Sequence, residues 1–231
     1  MKRKPNRDLV FKMCVSGVFA ALDYIVTWLV QIPIPVSSGA GYINLSDVFV
    51  FVLAALVGPW TAGIVGGLAG FASDFMNPAY AFFAPFSLLI KFIEGVVAGY
   101  LFKLLRGQGE IKKVALTLKC LLAFILSGIL MAALYMLPDY VFYLTSPSSL
   151  PGGTYMFIFF DLGFNLLQGV VNAVLGVLIF LGLVQVKGLT ERHSASSAAY
   201  EEIKVSPLIS QEQKEEKFPK KEEKENGQDL R

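Results

Sequence analysis

Lys91 and Glu94 lie three residues apart inside the apolar run Leu88-Leu89-Ile90-Lys91-Phe92-Ile93-Glu94. Helical spacing puts the two opposite charges one turn apart on nearly the same face. An ionisable side chain in the middle of a hydrocarbon layer costs about 2.5–3.5 kcal/mol on insertion scales, so it normally meets a cavity or a partner. Asp23, Asp47, Asp74, Asp139 and Asp161 fall within or beside other apolar runs. Asp161, Asn165, Gln168 and Asn172 are spaced by four, three and four, which aligns them on one helical face. The chemistry open to this set is recognition of a small polar molecule. Its plainer use is interhelical glue, worth about 0.6 kcal/mol per contact on average.

Several of these residues have a local alternative. Asp47, with Asn44 three positions earlier, has the spacing of a helix cap. Asp161 fits a first-turn acid favoured by the helix dipole. Asp74 falls at a helix C-terminus, where an acid opposes the dipole, at a depth that suits an ion pair with Lys91. A structural Asp74–Lys91 or Lys91–Glu94 pair and a ligand-contacting role both remain open. Tyr24, Trp28, Tyr42, Tyr80, Phe82, Phe83, Tyr140, Phe142, Tyr143 and Tyr155 cluster at the same level. Aromatic residues there form an interfacial belt, and a subset over a polar cavity would stack on a flat heterocycle.

The elements that must position these side chains are membrane helices. Of 231 residues 55% are apolar and 16% charged, against about 25% charged in ordinary soluble domains. Ten of the 18 acids and eight of the 20 bases fall in residues 190–231, which leaves too few to solvate a globular surface over the first 189. Leu9–Gln31, Leu45–Val57, Thr61–Met76, Pro85–Leu105, Ala115–Leu137 and Phe157–Val186 read as six spans, the second and third short for about 30 Å of hydrocarbon. Lys2, Arg3, Lys4, Arg7, Lys12, Lys103, Arg106, Lys112, Lys113, Lys119 and Lys187 fall on one side of that layout. The opposite loops, Ile32–Asn44, Asn77–Ala84 and Pro138–Met156, carry no Lys or Arg. The positive-inside rule makes the basic side cytoplasmic. The expected fold is an all-α integral membrane protein of six transmembrane helices, with cytoplasmic N- and C-termini and an outward-facing polar pocket.

The basic start before an apolar run also describes a cleaved signal peptide, but the run is long and contains Asp23, which favours a retained span. Residues 1–189 form the expected transmembrane domain. Residues 190–231, rich in Lys, Glu, Ser and Gln, read as a disordered, charged cytoplasmic tail. Cys14 and Cys120 both fall near the basic side, where reduced thiols are the default. The single histidine, His193, follows the last apolar run, so no imidazole metal site is expected.

Gly63, Gly66, Gly67 and Gly70 give overlapping GxxxG spacings, and Gly95 and Gly99 another, the pattern of closely approaching helices. Ser16, Gly17, Ala20 and Ala21 make two small-xxx-small pairs near the basic end of the first helix. They suit either packing inside the bundle or a smooth face for another membrane subunit.

The run Gly41-Tyr42-Ile43-Asn44-Leu45-Ser46-Asp47, then Gly58-Pro59, a glycine-rich helix ending in Asp74, and Ile90-Lys91 with Gly95, resembles the substrate-binding S components of energy-coupling factor (ECF) vitamin transporters. The likeness covers roughly residues 9 to 186. It implies six helices, capture of a vitamin or precursor from outside with nanomolar-type affinity, and no nucleotide site, in keeping with the absence of GxxxxGKS/T. It implies a transmembrane coupling subunit and two cytoplasmic ATPase subunits as partners, and a binding subunit that topples in the bacterial plasma membrane. Ser16, Gly17, Ala20 and Ala21 are similar to the family's alanine-rich docking motif and would face the coupling subunit, although Ser and Gly stand where alanine is usual. Missing histidines speak against the cobalt and nickel branch.

The candidate substrate-binding residues are therefore Tyr42, Asn44, Asp47, Asp74, Tyr80, Lys91, Glu94, Asn165, Gln168 and Asn172, with no catalytic residue, metal or cofactor. The excess of acids over Lys91 favours a hydroxymethylpyrimidine, thiamine or pyridoxine type of ligand, with riboflavin as the alternative. An intramembrane enzyme is disfavoured, since no HExxH or GxSxG occurs and the aspartates lack the YD and GxGD settings of bilayer proteases. A membrane scaffold would not need the amide stripe. A stand-alone secondary transporter would take up substrate without an ATPase.

Overall fold

The computed structural model describes residues 7–33, 41–107, 112–145 and 155–184. Six helices run among them: α1 (Arg7–Leu29), α2 (Asp47–Leu56), α3 (Pro59–Met76), α4 (Ala84–Arg106), α5 (Lys113–Thr145) and α6 (Met156–Val184). A small antiparallel pair, β1 (Ile32–Pro33) and β2 (Tyr42–Ile43), lies between α1 and α2, with Ile32 opposite Ile43 and Pro33 opposite Tyr42. Residues up to Leu183 form one compact unit, and a second unit starts at Val184. The expected domain boundary at Leu189 and the expected tail over 190–231 lie outside the described residues.

The polarity of the bundle is inverted relative to a water-soluble protein. On α6, Phe159, Leu167, Val170 and Leu178 are exposed, whereas Asp161, Asn165, Gln168 and Asn172 are buried. On α1, Leu9, Met13, Val18 and Leu29 are exposed and Asp23 is buried. An apolar outside with polar groups inside is stable only in lipid, where every backbone and side-chain polar group must be satisfied within the protein. Leu9–Leu29, α5 and α6 are long and apolar enough to cross a membrane. α4 matches α1 in length, at 23 residues, but carries Lys91, Glu94, Lys103 and Arg106.

α2 is the central element. Its ten residues are apolar all round after Asp47, and Val50, Phe51, Val52, Leu53 and Ala54 are almost fully enclosed. Phe51 stacks on Phe124 of α5 with centroids 4.9 Å apart. At about 1.5 Å per residue, α2 spans only some 15 Å, half a hydrocarbon layer. Gly58 ends this stretch at φ +132°, open to glycine alone without strain, and Pro59 starts α3 with its preset φ.

α3 tolerates four interior glycines because α4 and, at Gly66, Val50 of α2 lie against its backbone. A Cβ on Gly95 would come within 2.7 Å of Ala62 and Gly63, and one on Gly99 within 2.5 Å of Pro59. Lipid tails are as apolar as leucine, so helix association here rests on such packing rather than on water exclusion. A second close crossing was not anticipated from spacing: Gly128 of α5 meets Gly169 of α6, where an added Cβ would fall 2.9 Å from a backbone atom.

The sequence places the fifth span's end at Leu137 and a loop from Pro138. Instead α5 continues through Pro138 to Thr145. Proline removes one backbone donor, and in a membrane helix neighbouring groups take up the freed carbonyl. This extension carries Asp139, which is buried, into the bundle wall.

Candidate functional site

Alternating chain direction brings β2, the start of α2, the end of α3, the start of α4, the second half of α5 and the start of α6 to one end of the bundle. They line a polar cavity that opens at that end. Tyr42 and Asn44 come from the α1–α2 connection, Asp74 from α3, and Tyr80 and Phe83 from the α3–α4 connection. Ser87 and Lys91 come from α4, Tyr135 and Asp139 from α5, and Asp161, Asn165 and Gln168 from α6. Lys12, Lys103, Arg106, Lys113 and Lys119 lie toward the other end, at the start of α1, the end of α4 and the start of α5.

Beneath the cavity is an ionic knot. Lys91 Nζ donates to Asp47 Oδ1 and lies 3.3 Å from Glu94 Oε2. Asp47 Oδ2 accepts from Gln168 Nε2 at 2.8 Å and Asn172 Nδ2 at 3.0 Å. Gln168 Oε1 in turn accepts from the Asn44 backbone N–H at 2.9 Å, and Asn172 also donates to the Asn44 carbonyl. Ser127 of α5 donates to the Glu94 carbonyl at 2.7 Å, drawing a further helix in. Asp23, on α1, is buried, and its Oδ1 lies 3.4 Å from the hydroxyl of Thr27. Breaking a buried pair of this kind by removing one partner costs about 3–5 kcal/mol.

At the mouth, Tyr42 and Ser87 both donate to Asp74, through Oδ1 and Oδ2 respectively. Ser87 also pairs with the Tyr135 hydroxyl at 3.0 Å. The Tyr42 and Tyr80 rings lie 4.5 Å apart. Burial first, and then the Asp74 charge, push the Tyr42 phenol above its ordinary range, so it stays a proton donor. Gln31 Oε1 accepts from Asn77 at 2.7 Å, joining the end of α1 to the α3–α4 connection.

Seven of the ten expected binding residues line the cavity: Tyr42, Asn44, Asp74, Tyr80, Lys91, Asn165 and Gln168. Asp47, Glu94 and Asn172 lie behind them and hold Lys91 and Gln168 in place. Asp47 is not a helix cap: Ser46 holds that position without a side-chain bond, and Asn44 Oδ1 instead accepts from Ser46 in a tight local turn. Asp74 and Lys91 do not pair, because each is taken up by nearer groups. Asp161 lies beyond the first turn of α6. Ser87, Tyr135, Asp139 and Asp161 are lining residues absent from the expected set. Helical spacing held a signal for two of them: Ser87 is four residues before Lys91, and Tyr135 four before Asp139.

The docking residues expected on α1 lie along an accessible face. Gly17 and Ala21 are exposed, and Ser16 and Ala20 half-buried. Nothing lies within 4 Å of a Cβ built on Gly17.

The chain matches the family of ECF-type riboflavin transporter S components over residues 9–185. It belongs to that family. Curated relatives include an uncharacterised protein of Pyrococcus woesei, 34% identical over 69% of this chain and 89% of its own length. Another is the thiamine precursor transporter HmpT of Lactococcus lactis, 31% identical over 43% of this chain and 58% of its own length. A solved S component of a bacterial ECF transporter shares the fold, with a TM-score of 0.54 at 17% identity, over 76% of this chain and 96% of that one. This S component is a membrane protein of vitamin uptake that works with an ECF module, and it is not an enzyme.

Proposed function

We propose that this S component binds a small aromatic vitamin precursor of the hydroxymethylpyrimidine, thiamine or pyridoxine type with high affinity at the outer face of a bacterial plasma membrane. It delivers that ligand through an ATP-driven ECF transporter. The observation that carries the reading is the charge balance of the cavity: among the described residues its single basic residue, Lys91, is engaged by Asp47 and Glu94, while Asp74, Asp139 and Asp161 are also in the wall. A wall rich in acceptors suits a ligand rich in donors, and the Tyr42–Tyr80 pair suits a flat ring.

In this reading the chain spans the membrane six times with both termini cytoplasmic, and the cavity opens outward, away from the basic end. The ten expected residues act together, seven as contacts and three as supports. Ser16, Gly17, Ala20 and Ala21 meet the transmembrane coupling subunit, with two cytoplasmic ATPases below it. The similarity to HmpT over part of the chain agrees with this ligand class. A riboflavin-specific component is the second reading, favoured by the description of the matching family.

Mass spectrometry of small molecules released from the purified, denatured protein tests the ligand class. A pyrimidine, thiamine or pyridoxine species is expected. A flavin, or an empty protein that binds nothing in a vitamin panel, overturns the proposal.

A further inference from the structure

Asp139 and Asp161 are acids of the cavity wall that have no ion pair among the described residues. They come from α5 and α6, are 2% and 4% exposed, and lie close enough to interact. Asn165 Nδ2 donates to Asp161 Oδ2 at 2.7 Å. Asp139 Oδ2 and Asp161 Oδ1 are buried, and apart from the other carboxyl, which serves only through a shared proton, no hydrogen-bond donor among the described residues reaches them. Asp74 differs, since Tyr42 and Ser87 supply both its oxygens with donors. Lys91 is committed to Asp47 and Glu94. Two facing carboxyls can share only one proton, which leaves buried acceptor sites unfilled, so this part of the wall is complete only when donors arrive from outside.

We propose that Asp139 and Asp161 form a receptor for an amidine-like edge, an exocyclic amine beside a protonatable ring nitrogen. The inference rests on the cavity being the substrate site and narrows its ligand. A carboxylate presents two parallel acceptors that match two N–H donors held side by side. An aminopyrimidine has that edge. Pyridoxine carries hydroxyls instead, and the dione edge of a flavin presents carbonyl acceptors that two acids repel. The pair therefore selects hydroxymethylpyrimidine and thiamine within the proposed class, and selects against riboflavin.

The purified full-length protein in detergent is titrated calorimetrically with hydroxymethylpyrimidine, with its oxo analogue carrying a carbonyl in place of the exocyclic amine, and with riboflavin. The oxo analogue should bind roughly 100-fold more weakly than the amine. Asp139→Asn and Asp161→Asn should each narrow that gap, because a carboxamide donates to a carbonyl and an ionised carboxylate cannot. A changed preference in a variant that still binds the oxo analogue is not produced by mere loss of structure. Equal wild-type affinity for the amine and the oxo analogue overturns the inference and leaves the substrate site standing. So does unchanged selectivity in both variants. Riboflavin binding without hydroxymethylpyrimidine binding, or binding of neither, overturns the inference and the ligand class together. Should both variants fail to fold, the wild-type comparison of the two analogues decides.

Discussion

Gln168 on α6 and Asp47 on α2 are joined by a 2.8 Å hydrogen bond across the bundle, although 121 positions separate them. The same Gln168 side chain accepts from the Asn44 backbone, so one amide holds both the turn before α2 and the acid that begins it. The connection between α1 and α2 is thereby tied to a distant helix. Under the proposed function, the placing of Tyr42 and Asn44 toward a ligand depends on this distant amide.

Gln168→Leu should loosen that turn. Losing a buried hydrogen bond to a charged group costs about 1.5–3 kcal/mol, and ligand affinity should fall with it. Thermal unfolding in detergent, with and without ligand, reads both effects. An unchanged melting temperature would remove Gln168 from the support role.

Lys91→Ala should be more damaging, since it leaves Asp47 and Glu94 buried without their cation. A loss of about 3–5 kcal/mol in stability is expected, together with lost binding. Adding Asp47→Asn to Lys91→Met should recover part of that loss, and a double-mutant cycle measures the coupling. Strict additivity would show that the pair is not a unit.

Asp74→Asn and Tyr42→Phe act at the mouth. Each removes a charge-assisted hydrogen bond while keeping the Tyr42–Tyr80 ring contact available. Affinity should fall about 10-fold in each, chiefly through faster dissociation. Stopped-flow release of bound ligand checks this, and wild-type rates in both variants would exclude the Tyr42–Asp74 hydrogen bond from binding.

Gly95→Leu and Gly17→Leu should separate folding from partnership. The first forces a side chain into the α3 backbone and should abolish stable expression. The second extends into open space, so fold and ligand affinity should persist while co-purification with the coupling subunit is lost. Retained co-purification would place the docking face elsewhere.

Charged residues were the easiest part of the site to read in the sequence. Lys91, Glu94 and Asp74 stand out against apolar neighbours because few such residues survive in hydrocarbon without a purpose. The Lys91–Glu94 pair was legible in its spacing, but the second partner of Lys91 was not, because Asp74 and Asp47 are both acids within reach of a lysine on paper. The choice depends on where short α2 ends and on Ser87 and Tyr42 claiming Asp74 first. Ser87 and Tyr135 carry no charge, and uncharged polar residues are common enough in membrane helices that only their spacing from Lys91 and Asp139 marks them. Pro138 misdirected the reading of Asp139, since a proline ends most helices in water but not one whose neighbours satisfy the open carbonyl.

The shortness of α2 also makes it a ruler. Asp47 begins a ten-residue helix of which eight residues are buried, and Lys91, Gln168 and Asn172 all register against it. One residue added to α2 would raise that carboxylate by about 1.5 Å and swing it by about 100°, away from every partner. The floor can therefore change height only in whole turns of about 5.4 Å, roughly the width of one aromatic ring. Under the proposed function, the size of molecule that this bundle accommodates is set by its shortest and most enclosed helix.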